Sequence, residues 1–243
     1  MSGSPYMGAR PHVKCLACSL SRLCLPASLD VDEVDQLERI VRRSRPLKKG
    51  EYLFKADEPM EQVFALRSGA IKSYLLDADG NEQVLGFVLP GEMLGLDAIG
   101  AGRYRSYALA LEVSMVCSIR LDQLVELSGQ ISGLRYQLLH MLSLGLQGKD
   151  EHLRCCQGRA DQRLSTFLLG MSARYQQRGL CADVFSLPMS RGDIANYLDL
   201  TLETVSRLFS RFIQAGLLEC SGRDVTLIDQ QGLVDLSRRE EAS

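Results

Sequence analysis

Residues 190–212 read SRGDIANYLDLTLETVSRLFSRF. Ser190 is a good N-cap for a helix running through Leu198, because its hydroxyl can accept from the unpaired amides of the first turn. Asp199-Leu200 makes a short turn, and Thr201 caps a second helix through Phe209. Ile194, Leu198, Val205, Leu208 and Phe212 then face inward, and Leu202, Glu203, Ser206 and Arg207 face outward. Two helices joined by so short a turn form a helix-turn-helix. The outward residues suit base reading: arginine can grip guanine O6 and N7, glutamate can accept from cytosine N4, and serine serves several edges. Glu203 and Arg207 are four apart and can orient one another. The same spacing suits a plain solvated ion pair. The two-residue turn, the small Ala195 and a following hairpin favour the DNA reading.

Local charge sets a condition on binding. Over 188–223, Arg191, Arg207, Arg211 and Arg223 are balanced by Asp193, Asp199, Glu203 and Glu219. Phosphate attraction from one copy is therefore modest, and useful affinity needs two copies on two half-sites.

Working outward, 220–228 reads as a short hairpin around Ser221-Gly222-Arg223. Residues 160–212 are mainly helical, with breaks near Arg178-Gly179 and Leu187-Pro188. Residues 131–156 have helical spacing with a 3-4-3-4 seam of Leu139, Leu142, Leu146, Lys149 and Leu153, which is the spacing of a two-helix interface. The run covers only about three heptads, so packing on the helix's own domain stays open. Residues 46–128 change period. Strand-length apolar runs, Gln62–Leu66, Ile71–Leu76, Val84–Leu89 and Tyr107–Leu111, are separated by Lys49-Gly50, Ser68-Gly69, Asp79-Gly80-Asn81, Pro90-Gly91 and Ala101-Gly102. This spacing predicts an antiparallel barrel or sandwich, with a hairpin at Asp79-Gly80. Val31, Val34, Leu37 and Val41 predict a helix over 30–45, capped by Asp30. Residues 1–29 are cysteine-rich.

The chain has 243 residues, 28 Lys plus Arg, 30 Asp plus Glu, a net charge of −2, and 46% hydrophobic residues. These values exclude collagen-like, disordered and transmembrane classes and disfavour a non-specific nucleic-acid coat. No apolar run reaches the roughly 18 residues of a membrane span. Met1 to Arg10 contain no apolar leader segment, so a cytoplasmic protein is expected. Disulfides are rare in that compartment, and the eight cysteines turn attention to metal or redox chemistry. Cys15, Cys18 and Cys24 form C-x2-C-x5-C. Three thiolates so spaced can wrap a soft metal centre, either zinc or an iron–sulfur cluster, with a fourth ligand from elsewhere. Cys117 ends the strand-like run 115–119 and could be rigidly placed. Cys155-Cys156 is too cramped to chelate, and Cys181 and Cys220 lie apart; these four read as small packed hydrophobes. His12, His140 and His152 are scattered. No nucleophile–base pair, P-loop or dinucleotide fingerprint accompanies them, so the chain does not read as an enzyme.

Four stretches together resemble the CRP/FNR superfamily of bacterial regulators, and within it the oxygen-sensing FNR/ANR branch. They are CLACSLSRLCLPASL at 15–29, FVLPGEMLGLDAIG at 87–100, ALEVSMVCSI at 110–119 and RGDIANYLDLTLETVSRLFSRF at 191–212. The resemblance covers nearly the whole chain. It implies an α+β protein: an N-terminal antiparallel β-roll (a cupin-like jelly roll), a long dimerisation helix and a C-terminal winged helix-turn-helix. The matching division is a Cys-rich cluster-binding segment at 1–29, a sensor domain at 30–130, a dimerisation helix at 131–158 and a DNA-binding domain at 159–243. The resemblance also implies a [4Fe-4S] cluster on Cys15, Cys18, Cys24 and Cys117. Oxygen degrades that cluster, and the dimer and its DNA affinity are lost. Glu203, Ser206 and Arg207 match the E-x-x-S-R base contacts and imply a palindromic double-stranded site of TTGAT type. Genes of anaerobic metabolism would be activated or repressed, with RNA polymerase touched through exposed β-roll loops, including Asp79-Gly80-Asn81.

Some residues depart from the family pattern. Lys149 occupies a seam position where other members carry Asp. Two lysines facing across a symmetric dimer repel, as two aspartates would; alternatively Lys149 pairs with Asp150 or Glu151 and strengthens the dimer. Leu23 is placed to shield a cluster, and Ser19 to polarise its surroundings. Arg105-Ser106 resembles the phosphate-binding pair of cyclic-nucleotide-binding relatives. Gly95-Leu96-Asp97 stands where those carry Gly-Glu-Leu, so the ribose-binding acid is missing or displaced and a cyclic-nucleotide effector is not expected. A regulator with a structural zinc site is the other alternative.

Overall fold

A computed structural model describes residues 14–156 and 158–238, and of residues 150, 151, 154 and 155 the backbone only. The absence of a leader segment, expected from Met1 to Arg10, concerns residues outside those described. Among the described residues no helix is long and apolar enough to cross a membrane.

The chain enters through three short 3-10 turns, Cys15–Ala17, Ser21–Leu23 and Leu25–Ser28. Helix α1, Val31–Ile40, starts at a reciprocal cap: the Glu33 amide donates to the Asp30 carboxylate at 2.9 Å, and the Asp30 amide donates to Glu33 at 3.0 Å. Such a box satisfies two of the amides that a helix start leaves unpaired. Its Val34 and Leu37 are buried. The helix expected over 30–45 stops five residues early, because Val41–Arg43 becomes strand β1 and pairs with a later strand, Val41 opposite Ile119 and Arg43 opposite Cys117. Val41 still reaches the core, by strand alternation instead of helical periodicity.

Seven more strands follow: β2 Tyr52–Phe54, β3 Gln62–Ser68, β4 Ile71–Leu76, β5 Glu82–Val88, β6 Met93–Leu94, β7 Tyr107–Ala110 and β8 Met115–Arg120. They make two antiparallel four-stranded sheets, ordered β1-β8-β3-β6 and β2-β7-β4-β5. Alternate residues point between the sheets, and Val63, Leu66, Ile71, Ala108, Val116 and Ile119 are buried in one cluster there. This is the expected β-roll. Gly69 turns β3 into β4 at φ +87°, and a Cβ on it would lie 2.3 Å from the Ser114 hydroxyl oxygen, so only glycine fits. The β4–β5 hairpin turns at Asp79-Gly80, as expected.

The β region ends at Arg120, eight residues short of 128, and helix α2, Leu121–Gln130, follows. The 24-residue helix α3, Ser132–Cys155, is the long helix expected over 131–156. Helix α4, Ala160–Gln177, leads to strand β9, Val184–Ser186, then to helices α5, Arg191–Tyr197, and α6, Leu202–Gln214. Strands β10, Leu218–Ser221, and β11, Asp224–Leu227, form the predicted hairpin. Strand β9 joins it as a third strand in the order β10-β11-β9, and helix α7, Gln230–Arg238, closes the chain.

The C-terminal helices dock on the outer face and edge of the roll. Tyr74, Val84, Phe87 and Leu89 belong to the same buried cluster as Leu164, Phe167, Leu198 and Phe212. Asn196 of α5 caps the free edge of β5: its carboxamide accepts from the Val84 amide and donates to the Glu82 carbonyl, each at 2.6 Å. An edge strand has amides and carbonyls to spare, and this side chain satisfies two of them.

Candidate metal centre and nucleic-acid interface

The 3-10 turns at the entry are held by local amides, Cys18 to the Cys15 carbonyl at 3.2 Å, Ser21 to Cys18 at 3.0 Å and Ala27 to Cys24 at 3.1 Å. Turns this tight bring Cys15, Cys18 and Cys24 round to one side, facing Cys117 on β8. All four sulfur residues are half-buried and line one apolar cavity of about 40 Å³. Leu20, Ser21, Leu25, Val41, Arg43 and Gly91 also line it. Of the two flanking residues read from sequence, Leu23 packs on the Pro90-Gly91 turn; Gly91 has φ +95°, and a Cβ there would meet the Leu23 Cβ at 3.0 Å.

Burial pushes the Cys15 thiol up to about 12, helped by the Glu38 carboxylate beside it. Burial also pushes Cys24 up to about 12, and raises Cys117. The thiols of Cys15, Cys24 and Cys117 therefore keep their protons unless a cation replaces them. The donor set is all soft sulfur, which fits zinc or an iron–sulfur core and disfavours hard cations. Among the described residues, no three His, Cys, Asp or Glu side chains are gathered closely enough to clasp a single metal ion. Tetrahedral zinc at about 2.3 Å from each sulfur needs that gathering. Either centre requires the turns to adjust, since the cavity of about 40 Å³ has room for only a few waters.

The loop is tied to the roll at its start. The Cys15 amide donates to the Glu38 carboxylate at 2.8 Å, and Glu38 receives two further bonds from Arg43, at 2.6 and 2.9 Å. Burial opposes charge on Glu38, but these bonds outweigh it and hold its pKa at about 2. Sequence reasoning missed Glu38 and Arg43. They are five apart across a helix end, a spacing that carries no signal until the helix is known to stop at Ile40.

The seam of α3 is open. Leu139, Leu146 and Leu153 are each more than 60% exposed, Leu142 is 36% exposed, and Tyr136, one turn before Leu139, extends the apolar strip. Lys149 is exposed within it. The opposite face of the helix buries Leu134, Gln137 and Met141. The expected pairing of Lys149 with Asp150 or Glu151 concerns side chains outside those described.

The helix-turn-helix follows its sequence closely. The Ser190 hydroxyl accepts from the Asp193 amide at 3.0 Å, and the Thr201 hydroxyl accepts from Thr204 at 3.1 Å. Asp199 takes the left-handed conformation at φ 52° in the turn between. Ile194, Leu198, Val205, Leu208 and Phe212 are all buried. Glu203 and Arg207 expose 78% and 71% of their side chains and sit 3.7 Å apart. An ion pair so exposed is weak, so both groups are free to exchange each other for base edges. Leu202 and Ser206 are exposed on the same face. Behind them, the Arg191 guanidinium lies 3.2 Å from the centre of the Phe209 ring and brings α5 against α6.

Cys156 and Cys220 are half-buried, as small packed side chains should be, but Cys181 is exposed, contrary to expectation, in the loop before β9. Ser106 is buried and shares a hydrogen bond with Ser73 at 3.2 Å, while Arg105 is exposed.

Comparison with known proteins agrees with both halves. A cyclic nucleotide-binding domain model matches residues 44–130, and a Crp-like helix-turn-helix domain model matches residues 162–236. The fumarate and nitrate reduction regulatory proteins of Escherichia coli K12 and Salmonella typhimurium are each 43% identical over 226 residues, covering 93% of this chain and 90% of theirs. Among solved structures, FixK2 from Bradyrhizobium japonicum matches with a TM-score of 0.75 and 33% identity, over 83% of this chain and 99% of that one. A CooA mutant from Carboxydothermus hydrogenoformans, 20% identical with a TM-score of 0.66, shares the fold over 82% of this chain and 88% of its own. With its β-roll, its long helix and its helix-turn-helix in that order, the chain belongs to the CRP/FNR superfamily, in its FNR branch, and is a transcription regulator and not an enzyme.

Proposed function

We propose that this regulator is oxygen-responsive. Cys15, Cys18, Cys24 and Cys117 hold a [4Fe-4S] cluster, and the loaded protein is a homodimer paired through Leu139, Leu142, Leu146, Lys149 and Leu153. Glu203, Ser206 and Arg207 of each subunit read one half of a palindromic TTGAT-type site. The single observation that carries this reading is the convergence of the four cysteines on one cavity. Bound there, the cluster supplies oxygen-labile chemistry. The protein's own residues do the rest: the turns of 15–28 present three sulfurs, β8 fixes the fourth, and α3 pairs the subunits. The division at 1–29, 30–130, 131–158 and 159–243 follows the same reading, as do a cytoplasmic location and contact with RNA polymerase through loops such as Asp79-Gly80-Asn81.

Anaerobic purification tests it. A brown protein whose visible absorbance bleaches in air, with loss of binding to the palindrome, is the expected result. A colourless protein with one zinc per chain would overturn the cluster in favour of a structural metal. Clear micromolar binding of cyclic AMP by calorimetry would move the sensing function to the roll interior.

A further inference from the structure

The end of the cysteine loop is bonded to the dimer helix through one buried side chain. Gln137, on α3, is only 5% exposed. Its carboxamide donates to the carbonyl of Cys24 at 3.3 Å and accepts from the Ser28 hydroxyl at 3.0 Å. Both partners belong to the turn that begins at Cys24. Alongside, Gly133 lets α3 approach so closely that a Cβ there would lie 2.8 Å from the Ser28 carbonyl. The first turns of α3 are thus fitted to the backbone of one cluster ligand.

The two ends of the loop are anchored to different bodies. Cys15 is tied through Glu38 and Arg43 to β1, and Arg43 stands opposite Cys117 in the sheet. Cys15 and Cys117 therefore share a support in the sheet, whereas the Cys24 turn, whose Leu25 is buried in the roll core, is bonded to α3 as well. A cavity of about 40 Å³ cannot take a four-iron core without moving part of its wall, and the Cys24 turn is the part of that wall whose movement reaches α3, because it is the part bonded to Gln137. Water does not reach the Gln137 amide to replace a lost partner, so a shift of the Cys24 carbonyl must be followed by the helix or break the bond. Leu146 lies nine residues further along that helix, about 13 Å away at 1.5 Å per residue.

From this geometry, and resting on the cluster reading above, we infer that Gln137 is the positioning residue that passes the loaded or empty state of the cysteine site to the dimer helix. It touches neither metal nor partner subunit; it sets where the seam lies relative to the roll.

The test uses the full chain, purified without oxygen, as wild type, Gln137→Met, Gln137→Glu and Ser28→Ala. Iron and sulfide content and visible absorbance report loading. Sedimentation equilibrium gives the dimerisation constant of loaded and cluster-free protein, and the ratio of the two measures coupling. Gln137→Met should load normally yet lose most of that ratio. One buried hydrogen bond is worth about three- to tenfold, and a dimer contains the link twice, so a drop of roughly tenfold or more is expected. Gln137→Glu keeps an acceptor for Ser28 but no donor for Cys24, and should lose as much; Ser28→Ala should lose less. A wild-type ratio in both Gln137 variants would overturn the inference while leaving the cluster reading intact. Failure of Gln137→Met to load would assign the residue to holding the site together, and overturn the coupling role unless Ser28→Ala loads and still shows a reduced ratio. A wild type that never colours would sink the cluster reading itself and this inference with it, whereas a coloured wild type whose ratio is one would overturn this inference and leave the cluster standing.

Discussion

Arg43 and Glu38 show how much one pair can carry. Their side chains are only 13% and 17% exposed, and the carboxylate is held ionised against burial by the guanidinium and the Cys15 amide. Removing one member of such a pair leaves a buried charge without its partner. Arg43→Met should therefore destabilise the cluster-free protein by about 3 kcal/mol, read as a lower urea midpoint with unchanged slope. A loss under about 1 kcal/mol would mean that water already screens the pair. The gathering of the three loop cysteines on one cavity was legible from spacing alone, because closeness along the chain is a local property. Cys117 was recognisable only through resemblance, and Arg43 and Glu38 not at all, since their meeting depends on where a helix ends. That end is decided by strand pairing with Ile119 and Cys117, some 75 residues away.

Helices α3 and α6 are the elements whose outward faces the fold leaves uncovered. On α3, Lys149 lies in the apolar strip, and two copies meeting across a symmetric seam would place like charges together. Lys149→Ala should increase the dimer fraction of cluster-free protein in sedimentation; an unchanged or smaller fraction would refute repulsion and favour a pairing role. On α6, Arg207→Ala should cost about 1–3 kcal/mol per half-site, the worth of a bidentate base contact. It should also relax preference at the base pair it reads, while substitution of a phosphate-binding lysine or arginine would weaken all sequences alike. Equal loss on cognate and scrambled duplexes would show that Arg207 is not reading bases. Both helices were legible because their caps and periodicity are local. Besides β1, three further elements were not. Strand β9 has only three residues and exists because β11 offers it an edge. Helix α2 was hidden by extending the β region over Leu121, Leu124 and Leu127, whose spacing suits a helix as well. Helix α7 follows the hairpin with a weak local pattern, and only packing on α4 and the buried Leu233 hold it.

The two halves of the molecule meet along β5, and polar clasps at both ends of that strand fix the meeting. At one end Lys72, with 7% of its side chain exposed, bridges Glu82 at 2.6 Å and Asp193 at 2.8 Å. At the other, Glu92 accepts from Arg174 at 2.7 Å and Arg178 at 2.6 Å, and Arg174 also donates to the Phe87 carbonyl. None of this could be read from sequence: the partners that join the two halves are 82 to 121 residues apart, and no local pattern marks them. Yet these contacts fix the orientation of α6 relative to the α3 seam, and hence the half-site spacing a dimer can reach. Burial raises the cost of ionising Glu92, but the two guanidinium groups outweigh it and hold its pKa below the ordinary carboxylate range. A carboxylate with a lowered folded pKa contributes stability above its unfolded value of about 4.3, and that contribution disappears as pH falls through the folded value. Docking should therefore be complete at neutral pH and weaken on acidification below about pH 4. Glu92→Gln should lower the thermal midpoint at neutral pH and flatten the acid limb of its pH dependence. The stability loss should be only about 1 kcal/mol, because a third of the Glu92 side chain remains exposed. The flattening separates this clasp from the other. Asp193 is also held below its ordinary range, with Lys72 and Ser190 overcoming its burial, and Asp193→Asn should remove its own part of the limb and leave that of Glu92. If Glu92→Gln keeps the full wild-type acid slope, the loosening of the two halves is governed by the Lys72 clasp instead.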